Sequence, residues 1–307
     1  MRLTPAARRG RAARAGYTLV ELIIAVTILG IMGTLVAQIM MSQQRFFARL
    51  SEQTTVRREL RYTLGTLPTE LRGLSSPGGD ISSFGATSIT FRSTIGTSVL
   101  CDRPANTTID VPPTDAARTT VTNWVTQPGV GDTVYALRHD SSGVAGDFWS
   151  AHRITAVSTS SGLCATSPYT DVVRDAGKRR YRFTITPALP DPVAAGAALR
   201  FTRAARYELA KQSSGRWYLQ RQELQSGMWT QPVVLSGPYI APSIGSGGGL
   251  ALTYFDSTGA AISPGGNTRR IARIDVALRA LAQAGSDRSG ATPNDSVRLS
   301  VALRNRR

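Results

Sequence analysis

The chain contains one long apolar run, from Tyr17 to Met41, whose only formal charge is Glu21. As an α-helix this run would extend roughly 38 Å, which exceeds the roughly 30 Å hydrocarbon core of a bilayer. We therefore predict a membrane-spanning helix. An unpaired carboxylate inside such a helix costs on the order of several kcal/mol, so Glu21 is expected to meet a positive charge, most simply one brought by a neighbouring helix of the same kind.

The segment before the apolar run is basic. Residues 1–16 contain five arginines and no acidic residue. Because positive flanks stay in the cytoplasm, the carboxyl-terminal bulk is predicted to lie across the membrane. The apolar run is too long for an ordinary secretory signal, and no small-residue cleavage site follows it. The small residue, Gly16, comes before it instead.

Residues 16–22 read Gly-Tyr-Thr-Leu-Val-Glu-Leu and resemble the class III signal of type IV pilins and type II secretion pseudopilins. The resemblance implies that a prepilin peptidase cuts after Gly16 and that the new amino group of Tyr17 is methylated. It also implies that Glu21 pairs with the amino terminus of an adjacent subunit. The implied partners are other minor and major pilins or pseudopilins and an inner-membrane assembly platform.

The same resemblance implies a location. The protein would be a single-pass protein of the bacterial inner membrane, with its amino terminus cytoplasmic before cleavage. It would then enter a periplasmic or cell-surface filament.

Four parts are predicted along the chain: a cleaved leader (1–16), a transmembrane assembly helix (17–41), an amphipathic continuation of that helix (42–75) and a periplasmic or extracellular β-rich domain (76–307). Pro68 is expected to kink or break the helix nearby, because proline removes a backbone donor. A narrow apolar seam at helical spacing marks the continuation: Phe46, Leu50, Leu60, Leu64, Leu67, Leu71 and Leu74.

Beyond residue 80 the apolar residues alternate with polar ones, which predicts eight or nine strands with one buried and one wet face. The fold class is therefore α+β, a long amino-terminal helix packed on an antiparallel sheet, as in pilins. The stretch 103–120, rich in Pro and Thr, is expected to be a loop. The predicted strands are 88–92, 133–137, 180–185, 199–203, 206–209, 217–220, 250–255, 271–278 and 297–303.

The carboxyl-terminal strands give a second resemblance. Segments 250–256, 269–278 and 297–305 look like the end of PilW-type minor pilins, which are similar in layout to the J pseudopilin of type II secretion. The leading hypothesis is a minor pilin of a type IV pilus or of its tip complex. The alternatives are a J-type pseudopilin, a DNA-binding subunit of an uptake pilus, and a membrane-tethered periplasmic enzyme.

The net charge of +16 comes almost entirely from arginine, since Lys178 and Lys211 are the only lysines. Without its leader the chain would hold 31 basic and 20 acidic residues. Two interpretations stay open: a solvated basic face, or a patch for DNA, anionic lipid or glycan. The arginines concerned are scattered along predicted strands: Arg180, Arg182, Arg200, Arg203 and Arg206.

Two cysteines, Cys101 and Cys164, both lie on the predicted exported side. An even count in an oxidising compartment favours a disulfide. Two unrelated buried thiols are the alternative. Neither cysteine has a second Cys or a His at ligand spacing, so a metal site is not predicted.

No motif in the sequence predicts catalysis. The two histidines, His139 and His152, lie in no metal-ligand motif, and no nucleotide-binding glycine loop is present. The stretch 256–259, Asp-Ser-Thr-Gly, is read as a tight turn and not as a calcium loop. We expect a non-enzymatic protein without a cofactor.

Overall fold

The structure is a computed structural model that describes residues 16–118, 120–138, 148–162, 164, 167–191, 193–243, 248–281 and 294–303. The chain divides into two compact units, the first ending at Gln53 and the second beginning at Thr54. The predicted leader lies outside the described residues except for Gly16. His139 and the tail of the second resemblance, residues 304–305, also lie outside them.

A single helix of 54 residues, α1 (Leu19–Arg72), begins the described chain. Its most apolar 18-residue window has a mean hydropathy of 2.4, and none of that window is buried in the structure. By length and composition the helix can cross a membrane, as predicted. Phe46 and Leu50 are 59% and 43% exposed, so the predicted seam does not extend back to them within this unit.

The second unit is dominated by β-strands. Every strand pairing in the described residues is antiparallel. Within the described residues there are sixteen strands: β1 (Ile81–Phe84), β2 (Ser88–Val99), β3 (Asp102–Ala105), β4 (Thr108–Val111), β5 (Asn123–Trp124), β6 (Thr133–Arg138), β7 (Phe148–Ser160), β8 (Arg180–Thr186), β9 (Ala198–Lys211), β10 (Trp217–Gln225), β11 (Met228–Trp229), β12 (Val233–Tyr239), β13 (Leu250–Phe255), β14 (Ala261–Ile262), β15 (Arg273–Leu281) and β16 (Asn294–Ala302).

These strands form one sheet. Its main path has the order β14-β13-β15-β12-β10-β9-β6-β7-β8-β4-β3, and the strands that pair beside this path are β1, β2, β5, β11 and β16. Strand β9 is central: β2 pairs along its length, from Ser88 opposite Glu208 to Val99 opposite Ala198. The other edge of β9 is shared between β6 and β10. The long strand β9 therefore joins the two halves of the sheet.

The second half of the helix packs on this sheet. Its buried residues join a core with Phe91, Tyr207 and Leu219, which confirms an antiparallel sheet against a helix. The buried helix positions are Val56, Leu60, Thr63, Leu67, Pro68 and Leu71.

One position of the predicted seam is wrong. Leu64 is only half-buried, whereas Thr63 is 3% exposed. The Thr63 hydroxyl donates to Ser236 Oγ at 2.6 Å and lies 3.1 Å from the Tyr239 hydroxyl. A buried hydroxyl is tolerated when it is hydrogen-bonded. The buried face of the helix therefore includes Thr63, which the leucine spacing does not predict.

A second core cluster lies under β4, β6, β7 and β8. It contains Phe183 and Phe201, and the half-buried Trp124 packs edge-on to Phe201 with ring centroids 4.9 Å apart. Gly96 is required there, because a Cβ atom at that position would approach the Asn123 carbonyl oxygen to 2.7 Å. Strand β2 is irregular at this point, between Thr94 and Gly96.

Two further sequence expectations need correction. The predicted strands 199–203 and 206–209 are one strand, β9, because Ala204 and Ala205 between them carry no turn signal. The expected loop 103–120 contains most of β3 and all of β4. The helix includes Pro68 and ends at Arg72, one turn later, in line with the break expected near this proline.

Cys101 and Cys164 are joined in the structure, with Cα atoms 5.6 Å apart and side chains 5% and 4% exposed. This bond closes a loop that holds β3 to β7. We expect a double variant, Cys101→Ser with Cys164→Ser, to lower the free energy of unfolding by about 2–4 kcal/mol, because the open loop gains entropy when unfolded. Urea unfolding of the full chain in non-ionic detergent measures this. Equal midpoints in the oxidised wild type and the variant would show that the bond contributes nothing.

Candidate assembly site at the amino terminus

Three residues precede the helix. Gly16, Tyr17 and Thr18 have no regular secondary structure and are exposed, Tyr17 by 91%. Proteolysis favours exposed segments outside regular secondary structure, and the Gly16–Tyr17 bond lies in such a segment. The structure thus places the predicted cleavage position directly outside the helix.

Thr18 and Glu21 form a reciprocal cap at the start of the helix. The Glu21 amide donates to Thr18 Oγ1 at 3.3 Å, while the Thr18 amide and hydroxyl donate to Glu21 Oε2 at 3.0 and 3.1 Å. The Leu22 amide donates to the Thr18 carbonyl at 3.2 Å, the first bond of the helix. This is a capping box, in which the first and fourth residues satisfy each other's free amides.

The capping role of Thr18 is not among the sequence predictions above. The signal was present, since Thr-Leu-Val-Glu before an apolar run has the capping-box spacing. The sequence prediction for Glu21 was only that its carboxylate pairs with a positive charge from a neighbouring helix. In the structure it already accepts two hydrogen bonds from its own chain and lies at the positive end of the helix dipole.

No cation among the described residues lies within ion-pair distance of Glu21. The carboxylate therefore has no ion-pair partner within the described part of the chain, although two hydrogen bonds from Thr18 use part of its accepting capacity. The residues on either side of it present mainly apolar, exposed side chains, from Leu19 (75% exposed) to Met41 (49%). The site is therefore a single carboxylate at the amino-terminal end of an exposed, apolar helix.

Comparison with known proteins bears on this segment. Residues 11–37 match the family described as the prokaryotic N-terminal methylation motif. No curated protein and no solved structure matched the chain. The match supports a type IV pilin-like class III signal on a protein of the pilin and pseudopilin kind, and it implies processing by prepilin peptidase, membrane anchoring and assembly with other pilins. Proteins with this motif are generally structural and not enzymes.

The five arginines named in the sequence analysis do not form a solvated face. Arg182 makes two hydrogen bonds of 2.7 Å to Asp110, Arg200 pairs with Asp80 at 3.0 Å, and Arg203 with Asp132 at 2.8 Å. Their partners are all buried carboxylates. The two others are engaged as well.

Arg206 donates to Gln222 Oε1 and lies over the ring of Trp229 at 4.7 Å, and the buried Arg180 donates to two backbone carbonyls. These arginines therefore form ion pairs and hydrogen bonds within the β-rich domain. Strand periodicity identified the positions, but it does not record which carboxylates lie opposite them.

The described residues contain no group of acidic, His or Cys side chains suited to a metal ion. Asp256 instead caps its own turn: its Oδ1 accepts from the Thr258 and Ala260 amides at 2.9 and 3.0 Å, and its Oδ2 accepts from Arg270 at 2.8 Å. The interpretation of this stretch as a tight turn fits these contacts.

His152 is a buried histidine, 2% exposed, whose ring nitrogens contact the Pro187 carbonyl and Ser150 Oγ at 2.7 Å each. Burial lowers its pKa below 6.5, although the bond to Pro187 works in the opposite direction. The stability that a neutral buried histidine contributes is fully present above its unfolded pKa and is lost as the pH falls through the folded value.

We therefore expect the urea midpoint of the wild type to be lower at about pH 5.5 than at about pH 7.5. In His152→Gln the part of this decrease that comes from the imidazole should disappear. Midpoints measured at both pH values for both proteins give the comparison. An identical decrease in the two proteins would assign the acid sensitivity to carboxylates instead.

Proposed function

We propose that the protein is a minor pilin of the PilW type. It is inserted in the inner membrane, cleaved after Gly16, methylated at Tyr17, and incorporated into a type IV pilus or its tip complex. One observation carries this proposal. The carboxylate of Glu21 caps the first turn of an exposed apolar helix, and the exposed Gly16 lies just before that helix.

The proposed mechanism is assembly. Residues 19–41 supply the apolar surface that packs among neighbouring helices in the filament, and Glu21 supplies the charge that selects the amino terminus of a neighbour. Desolvation in the membrane strengthens this attraction, because opposite charges interact more strongly at low dielectric constant. The β-rich domain stays outside and determines which subunits it meets.

Intact-mass and amino-terminal peptide analysis of the protein recovered from its native membrane is the direct test. We expect a chain that begins at methylated Tyr17. In a strain without prepilin peptidase, the same chain should retain residues 1–16. Retention of those residues when the peptidase is active would contradict the proposal and favour a simple signal-anchored protein.

A J-type pseudopilin is the principal alternative, and it shares the whole amino-terminal argument. Deletion of the pilus assembly platform or of the secretion platform, in separate strains, distinguishes the two. Loss of cross-links between this chain and other pilin-like subunits only in the pilus deletion supports the minor pilin. A DNA-binding role has less support, because the strand arginines are bound to internal partners.

A further inference from the structure

A pocket of about 470 Å³, lined by both polar and apolar residues, opens where β2, β6, β7, β8 and β9 meet. Two arginines, Arg92 and Arg153, and two threonines, Thr133 and Thr186, contribute to its lining. None of its described lining residues is acidic. A concave site of this volume lies within the range of small-molecule sites, which is about 300–1,000 Å³.

Arg92 reaches the pocket because of the residues beside it. Its neighbour Phe91 lies in the core under the helix, so Arg92 points to the opposite face of the sheet. It stands opposite Ala204 on β9, whose small side chain leaves room for the guanidinium to cross that strand. On the far side Arg92 donates to the Thr133 hydroxyl of β6.

The guanidinium of Arg92 is only partly satisfied. Its Nε atom is buried and has no hydrogen-bond partner. Among the described residues no carboxylate lies within 4.0 Å of Arg92 or Arg153, in contrast to the paired Arg182, Arg200 and Arg203. A half-buried guanidinium without a carboxylate partner is stabilised by an anion that enters the pocket beside it.

From this geometry we propose that the pocket binds an oxyanion carried on a group no larger than a monosaccharide. Guanidinium groups match carboxylate and phosphate oxygens in two-point hydrogen bonding, and threonine hydroxyls donate to the same acceptors. Pro187, Leu224 and Ala204 supply apolar walls beside these donors, as a sugar or similar carrier requires. This proposal is independent of the pilin assignment, because the pocket lies wholly in the β-rich domain.

The test is isothermal titration calorimetry of the full chain in non-ionic detergent at low ionic strength, with glucuronate and with inorganic phosphate as separate probes. We expect binding in the millimolar range or tighter that weakens as salt is added. Tighter binding of glucuronate identifies a carboxylate ligand, and tighter binding of phosphate identifies a phosphate ligand. Either outcome supports the site.

Arg92→Gln is expected to weaken binding by about tenfold or more, because charged hydrogen bonds are lost. Arg153→Gln should also weaken binding, and since Arg153 is exposed the variant provides the test if Arg92→Gln does not fold. Arg216→Gln is the matched control, since Arg216 is exposed and lies outside the pocket. Absence of binding by either probe, or equal loss in Arg216→Gln, would overturn the proposal.

Discussion

Replacement of Glu21 by alanine is expected to abolish incorporation of this chain into filaments while leaving its insertion in the membrane intact. Removal of one carboxylate makes the apolar run more hydrophobic, so insertion should not suffer. The same change removes the charge that would attract a neighbouring amino terminus. Membrane fractionation and immunoblotting of sheared filaments measure the two properties separately.

The reciprocal contacts with Thr18 make this experiment sharper, because they give Glu21 two roles. Glu21→Gln keeps a side-chain oxygen that can accept from the Thr18 amide but carries no charge, whereas Thr18→Ala keeps the charge and removes the hydroxyl. If charge pairing drives assembly, Glu21→Gln fails like Glu21→Ala and Thr18→Ala retains much of its incorporation. Normal incorporation of Glu21→Gln would reject charge pairing and leave helix capping as the function of this residue.

Asp132→Ala is expected to destabilise the β-rich domain by about 3–5 kcal/mol, because the buried guanidinium of Arg203 would lose its main carboxylate partner. Arg203 is only 6% exposed, and it donates to Asp132 Oδ1 at 2.9 Å and to Oδ2 at 2.8 Å. The second oxygen also accepts from the Gly129 amide at 2.8 Å. Glu223, at 3.3 Å from Arg203, remains as a partial partner.

Asp295→Ala provides the matched control, because it removes the same carboxylate from an exposed pair. Arg57 and Asp295 are 3.3 Å apart with side chains 66% and 43% exposed. An exposed pair of this kind contributes about 0–1 kcal/mol. Urea unfolding in non-ionic detergent, followed by tryptophan fluorescence, gives both values. Similar midpoints for the two variants would show that burial of Arg203 carries no penalty.

The parts that sequence patterns predicted are those that depend on local spacing. The apolar run, its basic flank and Glu21 are contiguous, and α1 appears where they indicate. Strands β2, β6, β8, β10, β13, β15 and β16 also lie where alternation predicted them, because most of them bury roughly every second residue.

The parts that sequence patterns missed depend on distant partners. Strand β7 was not predicted because its residues are mostly exposed and small. It buries only His152 and Ile154 and is held mainly by ladders to β6 and β8. Strand β12 contains a Gly237–Pro238 pair that is typical of a turn, yet it pairs with β10. The contact of Arg92 with Thr133, 41 residues further along the chain, likewise cannot be predicted from local spacing.

The central ladder between β2 and β9 joins Ser88 to Glu208, and the helix-side core joins Val56 to residues as late as Leu303. Pairings between such distant segments form slowly, because a long loop must close before the contacts are gained. If the chain crosses the membrane from its anchored end, β2 emerges long before its partner does. This order of export would leave β2 without its partner strand at the membrane surface. A chaperone or a neighbouring subunit that covers β2 would then protect the domain until translocation is complete.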